Sequence, residues 1–309
     1  MRAKNRNVVI TGATGFIGSN LSRYLVKKGW NVHLILRTKQ QDSNVLFDVM
    51  KKVNPHRYDG STESIMQIIE KTKPELVFHL ASLYLAQHRS HDITPLIQSN
   101  ILLGTQLLEA MAANNIRNLV NAGTSWQHFQ DEDYNPVCLY AATKQAFETI
   151  LAYYVEVHSV RVVTLKLFDT YGPNDMRKKL FNFLGHAARG KEPIPMSPGN
   201  QRIDLVYIDD VVEAFAVAGK RLLDGRVKKS ESYAISSGKP LTLRKIVNVY
   251  NKIAGIRLPI TWGGIPYRKR EVMVPWTKGR KLPGWTARVP LKEGIRKIIR
   301  GKTRTRDAS

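Results

Sequence analysis

The 309 residues, 43% hydrophobic and 24% charged with no repeat or low-complexity tract, are enough for a full core in one large domain or two unequal ones. No run approaches the ~20 apolar residues of a membrane span, which excludes a spanning helix. A single cysteine, Cys138, excludes an internal disulfide; with a first strand starting too early for a signal peptide, a reducing cytoplasm is expected.

The net charge of +23 is concentrated near the C-terminus: fourteen Lys and Arg between Arg268 and Arg306 stand against Glu271 and Glu293. Such a balance favours polyanions, whether nucleic acid, an anionic lipid surface or a nucleotide diphosphate. Charge alone names none of them.

Val8-Val9-Ile10 is a β-branched run of the kind that forms a buried strand. Gly12, Gly15 and Gly18 follow at three-residue spacing, and Phe16, Ile17, Leu21 and Leu25 then fall at helical spacing. Strand, tight glycine turn and helix in this order suit a bound pyrophosphate. A side chain in the turn would keep the backbone away, and the helix N-terminus offers free N–H groups. Gly12, Thr14, Gly15, Phe16, Ile17 and Gly18 are the expected cofactor contacts.

The second strand, 31–36, ends at Arg37, with Lys39 two residues on. NAD-binding folds place an acid about twenty residues past the turn, against the ribose 2′-hydroxyl. Cations there suit a 2′-phosphate, so the cofactor is expected to be NADP(H). A weak third strand leads to Tyr58-Asp59, and a helix is expected over 61–71. The fourth strand, 76–81, ends where Leu80, Ala81 and Ser82 could approach the cofactor. Asn100 is expected to open a helix over 101–115, with Leu102, Leu103, Thr105, Leu107 and Met111 near its buried side. Strands over 119–122 and 162–167 continue the alternation, which gives a parallel sheet covered on both faces.

After Tyr171-Gly172-Pro173 the rhythm breaks. A basic helical segment (176–189), a proline-punctuated loop (Pro193, Pro195, Pro198) and short elements at 204–208, 233–235, 243–254 and 260–262 read as a smaller lobe. Residues 301–309 read as a frayed basic tail.

Tyr140-Ala-Ala-Thr-Lys144 opens a helix, so phenol and ammonium share a face. A nearby cation favours the phenolate and eases proton transfer. Thr124 and Ser125 follow the fifth strand, where ligands of parallel sheets bind, and a hydroxyl there could hold a carbonyl oxygen together with Tyr140.

In these blocks the chain resembles the extended short-chain dehydrogenase/reductases, the family of nucleotide-sugar epimerases, dehydratases and reductases. TGATGFIGSN, FHLAS, SNILLGTQLLEA, YAATK, DTYGP and IDLVYIDDVVEAF match that family's landmarks in order, over 7–299. The resemblance implies a Rossmann-type doubly wound parallel sheet over 1–172, to which some later segments return, and a mainly substrate-binding lobe over 173–300. It makes Thr124, Tyr140 and Lys144 the catalytic set, with Asn100 added to the cofactor contacts and Asp59 placed against the adenine. Ser125, Trp126 and Arg202 become substrate contacts, and Arg268 the arginine that grips the substrate's diphosphate. Dimerisation through the helices after the fourth and fifth strands is common in the family, so a homodimer is the expectation.

Departures narrow the activity. Where 4,6-dehydratases carry Asp-Glu after the catalytic threonine, Ser125-Trp126 stands here, leaving no acid for eliminating water. Epimerases show Val-Tyr-Gly after the serine, in place of Trp126-Gln127-His128-Phe129. The usual Arg-Asp-Phe is Ile203-Asp204-Leu205, with Arg202 the candidate replacement for the lost arginine. NAGTS, LYAATKQAFE and KREVMV are most similar to the 4-ketosugar reductases of the CDP-paratose and CDP-abequose synthase type. The expected activity is NADPH-dependent reduction of a nucleotide-linked 4-keto-6-deoxyhexose. The alternatives are a 4-epimerase with the same triad and a polyanion-binding protein. The intact triad argues against the last, and so against nucleic acid as the partner. No metal-ligand spacing is evident among the histidines.

Overall fold

The computed structural model describes residues 6–37, 44–188, 190 and 192–304, so Lys39 lies outside the described residues. The first half alternates strand and helix: β1 (Asn7–Thr11), α1 (Phe16–Lys27), β2 (Asn31–Arg37), β3 (Asn54–Tyr58), α2 (Thr62–Thr72), β4 (Leu76–His79), α3 (Ile93–Ile97), α4 (Leu103–Ala113), β5 (Asn118–Thr124), α5 (Leu139–His158) and β6 (Arg161–Leu167). Then come β7 (Asp169–Tyr171), α6 (Leu180–Ala187), β8 (Ile194–Met196), β9 (Arg202–Ile203), β10 (Leu205–Tyr207), α7 (Ile208–Leu223), β11 (Ser230–Ile235), β12 (Leu241–Thr242), α8 (Leu243–Ala254), β13 (Ile260–Trp262) and α9 (Leu291–Arg304).

Seven strands form one sheet in the order β11-β6-β5-β4-β1-β2-β3, and every neighbouring pair is parallel. The chain winds outward from β1 through β2 and β3, then returns to β4 on the other side. Between β1 and β4 it therefore leaves a crevice at the carboxyl ends of the strands, where such folds bind ligands. Alternation along β1 divides the core. Val8 and Ile10 join the cluster under α1 and α7, with Leu21, Leu25, Val211 and Phe215. Val9 joins Ile65, Ile69, Leu107, Met111, Phe147 and Leu151 under α2, α4 and α5. Each such side chain fully buried contributes about 1.5–3 kcal/mol.

The remaining strands pair two by two, β7 with β10, β9 with β12 and β8 with β13. α8 and α9 pack on each other, and the apolar stripe of α9 is closed by burial of Ile295 and Ile298. Buried Asp204 ties this lobe to the end of β11. Its carboxylate accepts from Ser236 Oγ (2.5 Å), Ser237 N (2.9 Å), Ser237 Oγ (2.6 Å) and Gly238 N (3.2 Å).

The structure differs from the sequence reading in five places. Residues 233–235 belong to β11, a strand of the main sheet, because three consecutive buried side chains suit a slot beside β6. The helix expected from Asn100 begins at Ile93, since Pro95 lies in its first turn, where no N–H is missed. A π-helical turn, Gln98–Leu102, then tucks Asn100 inside and leaves Leu102 44% exposed. β4 stops at His79, before the segment that bends toward the crevice. Pro195 sits within β8, at a short two-stranded pairing that tolerates it. α9 runs on to Arg304, taking up the first part of the expected tail.

Candidate active site

The glycine turn is shaped for close backbone approach. Gly12 has φ +71°, and a Cβ there would meet Ala81 N at 2.5 Å. A Cβ on Gly18 would strike the Gly12 carbonyl. Gly15 N donates to Gly12 O at 3.0 Å and Gly15 precedes α1, whose first N–H groups face the crevice end. A cavity of about 180 Å³ opens over this turn, lined by Gly12, Gly15, Phe16, Ile17, Gly18, Leu80, Ser82, Thr124, Tyr140 and Lys144. The glycines let the turn pack against Ala81 and against its own backbone, and the cavity over it fits a dinucleotide's pyrophosphate.

The catalytic set meets at the far wall of that cavity. Thr124 is the last residue of β5, and Tyr140 and Lys144 stand one turn apart on α5, 9% and 3% exposed. The hydroxyls of Thr124 and Ser82 lie close enough to the Tyr140 phenol to favour its ionised form. Burial nevertheless pushes that phenol well above the tyrosine range, with Cys138 adding to the rise and Thr124, Ser82 and Arg177 opposing it. The sequence expectation that Lys144 would draw the phenol toward ionisation is thus reversed. Tyr140 is a protonated acid, and the influence that dominates is desolvation. Burial also lowers Lys144, to about 8, against the attraction of Glu148 and with the repulsion of Lys166.

Asn100 holds this arrangement together without lining the cavity. Its Oδ1 accepts from Leu83 N (2.7 Å) and Ser82 Oγ (3.1 Å), while Nδ2 donates to Leu83 O (3.1 Å) and Thr143 Oγ1 (2.9 Å). It joins the loop after β4 to α5, which corrects its expected place among the cofactor contacts. A π-turn at a functional site is a recurrent device, and it is what brings Asn100 inward. Ala81 likewise backs the turn, donating its N–H to Thr11 Oγ1 at 3.2 Å.

A second cavity of about 550 Å³ adjoins the first, and Tyr84, Ser125, Trp126, Phe168, Asp169, Thr170 and Lys179 line both. Trp126 lies between Tyr84 (ring centroids 5.6 Å apart) and the Arg268 guanidinium (5.2 Å), and Tyr84 meets Tyr140 edge-on at 5.1 Å. His128 stacks on Trp276 at 3.8 Å, and Asp131 accepts from Thr277 N (2.7 Å) and Oγ1 (2.8 Å). The loop after β5 is thereby clasped to the segment around Trp276.

The expected contacts fare unequally. Thr124, Tyr140 and Lys144 come together with the glycine turn; Ser125, Trp126, Arg202 and Arg268 line the larger cavity. Arg268 is engaged by Glu271 through two bonds, 2.9 and 2.8 Å, because the pair falls at i,i+3. Arg202 is exposed, and its guanidinium donates to Pro240 O at 3.2 Å. Arg37 is exposed at the carboxyl end of β2, in register with Tyr58. Asp59, next in sequence, accepts from Ser61 N (2.8 Å) and Oγ (2.7 Å), so one of its oxygens serves the start of α2. The sequence reading missed Tyr84, Asp169, Arg177, Lys179 and Trp276. Only the aromatic excess around 126–129 and the Asp169–Lys179 spacing hinted at them; their contacts, such as Lys179 Nζ to Asp169 Oδ1 at 3.1 Å, depend on the fold. Among the described residues no group of His, Cys, Asp or Glu could hold a metal, and no helix is long and apolar enough to cross a membrane.

A doubly wound sheet with a glycine cradle at its switch point and a buried Thr-Tyr-Lys set beside it defines an enzyme that works with a nicotinamide dinucleotide. The NAD dependent epimerase/dehydratase family matches residues 8–235, and the chain belongs to that family. Two relatives are CDP-abequose synthases. That of Yersinia pseudotuberculosis is 30% identical over 95% of this chain and 99% of its own; that of Salmonella muenchen is 25% identical over 96% and 97%. Among solved structures, MoeE5 in complex with UDP-glucose and NAD superposes with a TM-score of 0.82 at 24% identity, covering 97% of this chain and 99% of that one. UDP-glucose-4-epimerase from Stenotrophomonas maltophila, with bound NAD and formylated UDP-arabinopyranose, gives 0.86 at 20%, covering 99% and 100%. The fold is that of these proteins, and the chain is an NAD(P)-dependent enzyme.

Proposed function

We propose that the chain reduces the C4 ketone of a nucleotide-linked 4-keto-6-deoxyhexose, with NADPH as cofactor. One observation carries the reading: Tyr140, a buried phenol beside Thr124 in the cradle cavity, meets edge-on the ring of Tyr84, which lines both cavities. A ketone reduction needs an acid at that junction, and similarity to CDP-abequose synthases along nearly the whole chain favours the substrate class.

The dinucleotide, when bound, supplies the reducing equivalent. Gly12, Gly15 and Gly18 leave room for its pyrophosphate, and Arg37, with Lys39 beyond the described residues, takes the 2′-phosphate. Lys144 holds the nicotinamide side and steadies Tyr140. Tyr140 gives its proton to the developing alkoxide while Thr124 hydrogen-bonds the same oxygen; positioned acid catalysis of this kind contributes roughly 10²–10⁴ in rate. Lys178 and Arg202, which line the large cavity with no carboxylate partner among the described residues, join Arg268 on the substrate's diphosphate. Residues 173–300 supply most of that substrate side, and exposed Ile93, Ile97, Tyr153 and Val157 on α3 and α5 offer a homodimer face.

A 4-epimerase uses the same triad, and the UDP-glucuronate 4-epimerase of Thermodesulfobacterium geofontis is 24% identical over 94% of the chain. Stoichiometry separates the two. The expected result is one NADPH oxidised per sugar, with deuterium from labelled NADPH retained at C4. Interconversion of C4 epimers with no net loss of NADPH would transfer the reading to epimerisation.

A further inference from the structure

Behind the triad lies a buried charged network that the reaction above does not use. Gln127, fully buried in the turn after β5, accepts the main-chain N–H of Thr124 on Oε1 at 3.0 Å. Its Nε2 donates to Glu148 Oε1 at 3.0 Å and to Gln145 Oε1 at 2.7 Å. Glu148 in turn receives Lys166 Nζ on both oxygens, at 2.9 and 2.7 Å. Lys166 is only 4% exposed although it projects from the middle of the sheet. β5 makes room with Gly123, where a Cβ would meet Lys166 Cδ at 3.0 Å and Glu148 Oε1 at 3.1 Å.

Tyr140, Lys144 and Glu148 follow one another at four-residue intervals along α5, so they share a face. The titratable groups that act on Lys144 or feel it come from three elements. They are Glu148 on its own helix, Lys166 on β6 and His79 on β4, with Tyr140 one turn before. His79, fully buried, is kept neutral. Lys166 is thus bonded to Glu148, and Lys144, one helical turn before that carboxylate, feels its charge through space.

We propose that Glu148 is the positioning residue of the triad: through Gln127 it fixes Thr124 at the end of β5, and it is the shared counter-charge of Lys144 and Lys166. This rests on the reading of Lys144 as the residue that holds the cofactor. Removing either partner of an ordinary structural ion pair weakens the site in the same sense. A shared counter-charge behaves differently. Loss of Glu148 withdraws support from the charged form of Lys144, whereas loss of Lys166 leaves Glu148 to Lys144 alone.

The experiment follows NADPH affinity from pH 6 to 10 by fluorescence titration in the native chain, E148Q and K166M. Native affinity is expected to fall above about 8, as Lys144 gives up its proton. In E148Q the fall moves to lower pH; a one-unit displacement leaves affinity at pH 8 roughly fivefold below native. Glu148 acts on Lys144 more strongly than Lys166 does, so this direction holds even when the unpaired Lys166 sheds its own proton. In K166M the fall moves to higher pH; a one-unit displacement gives roughly fivefold higher affinity than native at pH 9. Displacement of both variants in one direction, or of neither, overturns the shared counter-charge. Should E148Q not fold, K166M still tests the proposal, because absence of a rise would show that Glu148 and Lys166 form a self-contained pair and would overturn it. A third variant, Q127L, removes the bonds of Gln127 to Thr124 N, Gln145 and Glu148 and is expected to lower turnover at least about tenfold; unchanged turnover overturns the link to Thr124. Native failure to bind NADPH at pH 7 would instead strike the reading of the cofactor site, which keeps the two failures apart.

Discussion

The cofactor half and the substrate half of this molecule are built on different principles. The cradle is backbone: three glycines within seven consecutive residues, a helix N-terminus and a strand end, with few side-chain contacts to hold it. The larger cavity is side chain. Tyr84, Trp126, Phe168, Arg202, Arg268 and Trp276 come from five separate segments and are held by stacks and ion pairs, Arg268 by Glu271 and Lys179 by Asp169. A backbone cradle recognises what all dinucleotides share, and it tolerates little change. A cavity of clasped side chains can be re-tailored one residue at a time, which is where the substrates of one family diverge. Tyr140 stands on the border and should serve both halves.

The sharpest way to separate them is therefore at Tyr140. Tyr140→Phe removes the acid and leaves the ring's packing against Tyr84, so turnover is expected to fall by roughly 10²–10⁴. NADPH affinity and melting temperature should stay near native, and the comparison breaks if affinity falls in step with rate. Stopped-flow turnover beside equilibrium fluorescence titration measures both.

Arg37→Asp probes the cofactor half at its outer end. Hydrogen bonds to a charged group contribute about 1.5–3 kcal/mol each, so NADPH affinity should drop roughly ten- to a hundredfold while NADH affinity changes little or rises. Native affinity that is equal for the two cofactors would remove the case for a 2′-phosphate site. A smaller effect is expected from Trp126→Ala. Aromatic contacts of this sort contribute about 0.5–1.5 kcal/mol, so KM for the nucleotide sugar should rise several-fold with cofactor affinity unmoved. A loss of NADPH binding there would show that the two cavities are not separable.

The same contrast explains what the sequence could disclose. The glycine turn and Tyr140–Lys144 are legible because their partners are local: Gly12 and Gly18 touch within one turn, and Tyr140 and Lys144 are one helical turn apart. The parallel sheet is legible from β-branched runs alternating with amphipathic helices. The role of Asn100 was hidden, because nothing in Gln98–Leu102 announces a π-turn, and without one that residue faces elsewhere. The place of β11 is not legible, since 62 residues separate it from β6 and short strands look alike whether they pair in a lobe or in the main sheet. The Arg268–Glu271 pair could have been read from its i,i+3 spacing; Lys166–Glu148 and Asp131–Thr277 could not, being contacts that only the fold makes. Even the sign at Tyr140 needed the fold, for burial and not a neighbouring cation sets its protonation.

The smallest and most discriminating effect is expected at Lys144, where function and stability should part. Burial lowers this ammonium from 10.5 to about 8. Between those two pH values the unfolded chain binds a proton that the folded chain has released, so the contribution of Lys144 to stability rises with pH across that window and is least favourable below it. Lys144→Met removes the buried charge while leaving Glu148 its bond to Lys166, so no carboxylate is stranded. The variant should therefore melt slightly above the native chain at pH 7, at roughly 2–4 °C per kcal/mol for a chain of this size class, and the gap should close as pH approaches 10. NADPH affinity should be lost in the variant throughout, and in the native chain it should decline over the same window in which stability improves. A variant that melts below native at pH 7, or a gap that widens with pH, would mean that Lys144 supports the fold as much as the cofactor, and the border between the two halves would have to be drawn elsewhere.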